Sequence, residues 1–258
     1  MSAIEQADIV VVDEADDPFG AVLARHAGDV RVVRARPTEA ARAMTIVQNG
    51  TSVRVEPACA LLLRPLRPQD AMRDADERFA HTEVFSTLWS AAAMTARPVI
   101  NRPNAWGWSA RVSASAVVTQ QRAGMRDAAP EAYWHAMPPG AAFRYHQSLE
   151  TWAVVDDPSG TRFGRSRALA RPRGWEQVIV VGTEGFRVTR ADVGDRDIEA
   201  DSVDVATRLG VRFATVSWAI PFGEAPAALA RVNPFPSVQE CRPVLTDVCA
   251  ALLRSLTG

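Results

Sequence analysis

The stretch ALARVNPFPSV, from Ala228 to Val238, decides how the second half of the chain is interpreted. Its first part, up to Asn233, is typical of a β-strand. Pro234 and Pro236 then prevent further sheet pairing, because proline lacks an amide donor and fixes its own φ. An asparagine at such a strand end commonly points its oxygen into a cleft, beside a carboxylate two residues earlier. Arg231 occupies that earlier position, so the stretch raises the question of whether a metal is bound here.

The overall composition excludes several classes of function. The chain has 258 residues, 47% of them hydrophobic and 23% charged, which is typical of a folded soluble protein with one large or two small domains. A net charge of −1 gives no indication of nucleic acid or an anionic membrane as a partner. No apolar run approaches the roughly 20 residues that span a bilayer. The acidic N-terminus does not resemble a secretory signal, and we expect a cytoplasmic protein.

The basic residues and the thiols narrow the possible chemistry. All 29 basic residues are arginine, so catalysis through a lysine Schiff base is excluded. Cys59, Cys241 and Cys249 lack the C-x-x-C spacing of a redox or zinc motif. We expect them to be buried thiols in a reducing compartment.

The first 125 residues are predicted to form an α/β domain. Residues 7–37 predict a strand, a helix and a second strand, and Ile9–Val12 is an apolar run typical of a parallel strand buried on both faces. Long helices are predicted over Pro68–Ala96 and Val112–Arg122. Together these elements predict an opening βαβ unit followed by a helical segment.

Residues 126–258 predict a second, β-rich domain. A hairpin turn is expected at Asp157–Gly160, and a second hairpin is expected around Gly182–Gly185. A helix over Asp201–Gly210, the strand VRFATVSWAIPF, the strand ending at Asn233 and a terminal helix follow.

The order of these elements resembles an ATP-grasp protein, and more narrowly the bacterial ATP-grasp peptide maturases of the graspetide (microviridin) class. The resemblance is carried by six segments in the same order along the chain: VVVDEADDPFGAVLARHAGDVRVVR, LLLRPLRP, DERFAHTEVFSTLWSA, RPVINRPNAW, VATRLGVRFATVSW and ARVNPFPSV. It implies an α/β (α+β) fold with an N-terminal pre-ATP-grasp domain (1–125) and a reduced ATP-grasp lobe (126–258).

The resemblance also implies a chemistry. In this family ATP lies between two β-rich lobes, lysines contact its phosphates, and acids and an asparagine on two adjacent strands hold Mg²⁺. The enzyme phosphorylates a carboxylate, and an amine or hydroxyl then displaces the phosphate to give an amide or ester. Such catalysis depends on charge neutralisation by metal and basic groups.

The metal-binding positions depart from the family pattern. Ser217 stands where the first strand carries its acid, and Arg231-Val232-Asn233 replaces Glu-x-Asn on the second. Mg²⁺ normally retains one or two carboxylates. A guanidinium about 4 Å from a cation opposes it by about 4 kcal/mol per pair of unit charges at an effective dielectric of ~20. We therefore expect no metal, although Asn233 is retained.

The phosphate-binding positions are depleted as well. Arg111 is the nearest substitute for the family's lysine, and the arginine before the Val-Val-Gly stretch is replaced near Glu176-Gln177. By the resemblance, the candidate cofactor-binding residues are Asn233, Arg111 and Glu176. Arg111 and Arg231 are the candidate catalytic residues.

Several other residues carry two interpretations each. Arg64 and Arg67, in RPLRP, either clamp a substrate carboxylate or phosphate or form a turn with solvated arginines. Trp106 and Trp108 either line a peptide or dimer interface or pack in a core. The acidic turn after the first strand either binds a cation or caps a helix; its residues are Asp13, Asp16 and Asp17.

Three functions remain open from the sequence. The first is a non-catalytic binding or partner subunit in peptide or natural-product biosynthesis, with no cofactor. It would bind a peptide or small molecule, form a homodimer, and pair with a complete ATP-grasp ligase. The alternative is an active ATP-dependent ligase that uses ATP and Mg²⁺, with Asp192, Asp195 or Glu176 as substitute metal ligands. The third is unrelated chemistry in the same cleft.

Overall fold

The structure, a computed structural model, describes residues 2–66, 72, 74–103, 172–188, 198–222 and 227–258, and the backbone of 132–135, 145–148, 154–156 and 164–168. Contacts divide the chain into two units. The first contains Met1–Ser109 and Ser237–Gly258, and the second contains Ala110–Pro236. The predicted boundary after residue 125 and the predicted helix over Val112–Arg122 lie outside the described residues.

A four-stranded parallel sheet forms the centre of the first unit. Its strands lie in the order β2 (Val32–Ala35), β1 (Ile9–Val12), β5 (Ala60–Leu63) and β6 (Val99–Ile100). Its central strand β1 pairs with both β2 and β5, and all four of its residues are buried. The apolar run at Ile9–Val12 therefore forms the predicted parallel strand, covered on both faces.

Helices and one hairpin complete the first unit. The predicted long helix is present but begins later, because Asp74 caps it by accepting a hydrogen bond from the Glu77 amide at 2.8 Å. Between β2 and β5 lie a short helix and a hairpin, and the sequence patterns did not predict this helix or the first strand of the hairpin. The helices are α1 (Phe19–Arg25), α2 (Pro37–Ala43) and α3 (Ala75–Met94), and the hairpin pairs β3 (Thr45–Asn49) with β4 (Ser52–Glu56). No helix in the described part of the chain is both long and apolar enough to cross a membrane.

Two four-stranded antiparallel sheets form the described part of the second unit, in the orders β7-β10-β8-β9 and β12-β11-β13-β14. The hairpin predicted around Gly182–Gly185 is present as β11 and β12, while the turn predicted at Asp157–Gly160 lies outside the described residues. The first sheet contains β7 (Ala132–His135), β8 (Tyr145–Ser148), β9 (Val154–Asp156) and β10 (Gly164–Ala168). The second contains β11 (Pro172–Val181), β12 (Glu184–Arg187), β13 (Phe213–Pro221) and β14 (Ala228–Asn233).

The last helices belong to different units. Helix α4 (Ile198–Arg208) packs on the second sheet of the second unit, against β11, β12 and β13. After the short helix α5 (Val238–Cys241), the terminal helix α6 (Leu245–Thr257) packs against β5 and β6 of the first unit. The sequence alone predicts this helix as part of the second domain, residues 126–258. Its buried stripe, which includes Val248 and Leu252, instead covers the parallel sheet.

The start of α1 generates a stability prediction. A Cβ at Gly20 would meet Oδ2 of Asp13, and it would lie 2.9 Å from Cγ of Arg34. These two side chains form an ion pair next to the helix, so neither can move away freely. Gly20→Ala should therefore destabilise the protein by about 1–3 kcal/mol, as overpacking of a filled site does, measured by urea unfolding. The matched control is Gly174→Ala, where the added methyl group would meet no atom within 4 Å. Equal stability of the two variants would contradict this account.

Candidate functional site

The register of the second sheet brings the predicted metal-site positions together. Ser217 on β13 lies opposite Arg231 on β14, and Thr215 lies opposite Asn233. On the other side of β13, Gln177 of β11 lies opposite Ser217. Side chains directly opposite each other on one face have Cβ atoms about 4.5–5.5 Å apart. A row of polar side chains therefore crosses three strands.

This row faces away from helix α4. The neighbouring cross-strand pair, Glu176 and Trp218, faces the helix, since Nε1 of Trp218 donates to Oγ of Ser202 on α4 at 2.9 Å. Successive residues of a strand point to opposite faces, so Gln177 and Ser217 point away from α4. We call this surface the polar face and define it by Gln177, Thr215, Ser217, Arg231 and Asn233.

The side chain of Asn233 closes the turn that follows its strand. Its Oδ1 accepts from the Phe235 amide at 3.1 Å, and its Nδ2 donates to the Phe235 carbonyl at 3.2 Å. Such bonds to the backbone two residues on are typical of asparagine at turns. The amide that survives from the family pattern therefore also shapes the loop containing Pro234 and Pro236.

The residues present on the polar face do not fit a magnesium ion. They offer amides, hydroxyls and one guanidinium, whereas Mg²⁺ requires anionic oxygen ligands. The oxygen of Asn233 already accepts the Phe235 amide. Within the described ranges, no group of three or more His, Cys, Asp or Glu side chains is placed to hold a metal. Asp192 and Asp195, the proposed substitute ligands, lie outside the described residues.

Glu176, a candidate cofactor ligand, lies on the helix face. Its side chain is fully buried, and its Oε2 is 3.0 Å from Nε of Arg187 on β12. The same Arg187 nitrogen lies 3.5 Å from Oε1 of Glu199 on α4. Arg187 on β12 therefore links Glu176 on β11 to Glu199 on helix α4. The residue of β11 that points to the polar face is Gln177, the neighbour of the predicted ligand Glu176.

Arg64, a candidate substrate ligand, is buried within the first unit. Its side chain is 3% exposed, its Nε donates to Oδ2 of Asp17 at 2.8 Å, and its Cζ lies 4.6 Å from the centre of the Phe19 ring. These contacts favour a structural ion pair over a solvated turn. The other predicted contacts lie outside the described residues, namely Arg67, Trp106, Trp108 and Arg111.

The acidic turn after β1 follows the capping interpretation. Asp17 accepts from the Phe19 amide at 2.9 Å, and Asp13 accepts from the Gly20 amide at 3.2 Å, both in the first turn of α1. Asp13 also pairs with Nε of Arg34 at 3.0 Å beside a surface pocket of about 250 Å³. Arg34 and Arg64 thus neutralise Asp13 and Asp17, two of the three carboxylates that a cation site in this turn would use.

The three thiols are buried, as predicted, and are poor nucleophiles. Burial raises the pKa of Cys59 and of Cys249 to about 11. Burial, with a smaller contribution from the charge of Glu240, raises the pKa of Cys241 to about 12. Since the thiolate is the reactive and metal-binding form, these cysteines take no part in a site at neutral pH.

The fold is that of solved ATP-grasp ligases over nearly the whole chain. The ATP-grasp ligase PsnB, complexed with a phosphomimetic variant of its minimal precursor, Mg and ADP, is 17% identical, with a TM-score of 0.65 and 97% of each chain covered. A RiPP-associated ATP-grasp ligase from Chryseobacterium gregarium, in complex with ADP and a leader and core peptide, is 10% identical, with a TM-score of 0.66 and coverage of 97% of this chain and 96% of that one. The macrocyclase MdnC from Microcystis aeruginosa MRC, bound with precursor peptide MdnA, is 12% identical, with a TM-score of 0.65 and coverage of 96% and 98%.

No protein-family model and no curated protein matches the sequence. The structural matches nevertheless confirm the fold that the sequence stretches predicted, an α/β protein resembling ATP-grasp peptide maturases.

Arg187 generates a prediction about the helix face. Replacing it, as in Arg187→Met, leaves the buried carboxylate of Glu176 without its cation, and breaking a buried pair in this way costs about 3–5 kcal/mol. The double variant Glu176→Leu with Arg187→Met should be less destabilised than Arg187→Met, because it removes the fully buried carboxylate together with its arginine. Urea unfolding measures both. The control is Arg54→Met, whose side chain is 72% exposed; a loss no larger than this control's would contradict the role given to Arg187.

Asp13 generates a prediction about pH. Burial raises its pKa above the ordinary value of 3.8, and this effect exceeds the opposing hydrogen bond and charge of Arg34. The folded state therefore holds this proton more tightly than the unfolded chain, so the contribution of Asp13 to stability falls as pH rises from below 3.8 through the raised pKa. Asp13→Asn keeps an acceptor for the Gly20 amide but cannot titrate. The unfolding free energy of the wild type, relative to Asp13→Asn, should fall across this window. A relative gain with rising pH would contradict the direction of the shift.

Proposed function

We propose that the protein is a degenerate ATP-grasp protein that acts as a non-catalytic binding or partner subunit in the maturation of a peptide natural product. One observation carries the proposal: the strand positions from which a magnesium ion would be held present Ser217 and Arg231, side by side in register. Charge neutralisation by metal and basic groups is the main contribution of a protein to phosphoryl transfer. A face that lacks anionic ligands and carries a cation is unsuited to hold Mg·ATP.

The bound peptide in two of the similar structures supports a peptide as the ligand. MdnC is bound with a precursor peptide, and the Chryseobacterium gregarium ligase is bound with a leader and core peptide. We extend this binding mode to the present chain as part of the proposal. A complete ATP-grasp ligase would then supply the ATP-dependent step on the same peptide.

A homodimer is also part of the proposal. The exposed apolar side chains of the first unit support it, since Phe79 and Met94 on α3 are 68% and 50% exposed. A homodimer interface along α3 would remove these apolar side chains from water. Light scattering after size exclusion would measure the mass, and a monomer of 28.0 kDa would remove this part of the proposal.

A thermal shift with Mg·ATP separates the proposed subunit from an active ligase. We expect no rise in the melting temperature at millimolar Mg·ATP. A nucleotide present at about 100 times its dissociation constant would stabilise the fold by about 2.7 kcal/mol, which corresponds to several degrees for a chain of this size. An active ATP-grasp ligase measured in the same buffer serves as the positive control. A clear shift, or phosphate release with a precursor peptide encoded beside the gene, would establish the ligase instead.

A further inference from the structure

The polar face carries a positive charge that no carboxylate of the described residues neutralises. Arg231 is exposed on β14, and no carboxylate among the described residues pairs with it. Its cross-strand neighbours in the row, Ser217 and Gln177, are neutral. The carboxylate of Glu176, one residue away along β11, faces the helix and is held by Arg187. The charge of Arg231 is therefore available to a ligand.

Hydrogen-bond donors surround this charge. Thr215 is 1% exposed, and its Oγ1 has no hydrogen-bond partner within the described ranges. Ser217, two residues along on the same face, is 8% exposed. Burying a hydroxyl without a partner is unfavourable, so such a group in a folded protein is completed by a water, an ion or a ligand.

We infer that the polar face binds an oxyanion directly, without a divalent cation, with Arg231 supplying the charge and Ser217 and Thr215 supplying hydroxyl donors. The guanidinium group presents a planar fork of donors that matches carboxylate and phosphate oxygens. The arginine then takes the place of the metal as the positive charge of the site. This inference rests on the proposed function, because it assigns a ligand class to a site that no longer holds Mg·ATP.

Two sources can present this chemistry, and the experiment separates them. One is a phosphate group, and the other is the carboxylate of an acidic side chain in a peptide. Orthophosphate and N-acetylglutamate amide serve as the two probes. Each is titrated into the full-length protein in the presence of EDTA, and binding is followed by calorimetry and by the melting temperature. The probe that saturates at the lower concentration identifies the source.

Arg231→Gln is the variant that tests the site. Hydrogen bonds to a charged group are the strong ones, so we expect the variant to weaken binding by about tenfold or more, with the fold unchanged by circular dichroism. Arg54→Gln, on the exposed hairpin of the first unit, should bind as the wild type does. Binding should also weaken as salt is raised, because exposed charges are screened.

A reciprocal variant tests the exchange of cation for metal. The double variant Ser217→Asp with Arg231→Glu restores two carboxylates opposite each other on adjacent strands. We expect it to lose oxyanion binding in EDTA and to gain binding of Mg²⁺ or Mn²⁺, measured by calorimetry. A double variant that kept oxyanion binding would overturn the role given to Arg231.

The outcomes separate this inference from the proposed function. Binding in EDTA that is lost in Arg231→Gln supports the inference. Equal binding by Arg231→Gln and by the wild type, or no binding of either probe, overturns it while leaving the proposed function in place. Oxyanion binding that requires Mg²⁺ in the wild type overturns the inference, and a wild type that also gives the Mg·ATP thermal shift overturns the proposed function as well.

Discussion

The pairing of β13 with β11 and β14 is the constraint on which the second unit depends. All nine residues of β13 are buried. The side chains on one face of the strand must therefore fit against α4, and those on the other face must fit the polar face. A shift of one residue would exchange these faces and place Glu176 where Gln177 lies. The hydrogen bond from Trp218 to Ser202 and the ion pair of Glu176 with Arg187 both stabilise the observed register. Because these contacts fix which side chains face α4, they also fix which side chains form the polar face.

The same register explains how the residues at the predicted metal-site positions can change while the fold persists. The side chains of Ser217, Arg231 and Asn233 point away from α4, so they do not hold β13 against this helix. They share only the backbone hydrogen bonds of the sheet with the residues that do. Substitutions on the polar face are thus largely decoupled from the packing of the helix face, because neighbouring residues of a strand point to opposite sides. Asn233 is the exception, since its amide also holds the turn at Phe235. Its retention is explained by this local role whether or not a metal is bound.

Much of the fold could be predicted from the sequence because its signals are local. The apolar run at Ile9–Val12 and the hairpin around Gly182–Gly185 are periodic or punctuated by turn residues, and both are present. Helix α2 and strand β3 were missed because both are short: α2 buries Pro37 and Ala40 alone among its residues, and β3 is half-exposed or exposed throughout, which leaves little hydrophobic pattern. The family pattern predicted that Ser217 and Arg231 occupy the metal-binding positions of two adjacent strands. Glu176 was the predicted ligand, whereas Gln177 is the residue of β11 on the polar face. A shift of one residue along a strand exchanges the two faces, and no local feature of the sequence fixes which residue points to which face.

The arginines that are paired within the fold clarify what is particular about Arg231. In the first unit, Arg34 and Arg64 each pair with an aspartate at the start of α1, and in the second unit Arg187 pairs with Glu176. In all three pairs a guanidinium neutralises a carboxylate, so the protein already contains both charges. Arg231 lies beside hydroxyls and amides, with no such carboxylate within the described part of the chain. Since lysine is absent, arginine must serve both purposes in this protein. Where its counter-charge is not built into the fold, the counter-charge has to come from a ligand or from solvent ions. The hydroxyl of Thr215 on the same face, which has no partner among the described residues, is a further donor for such a ligand.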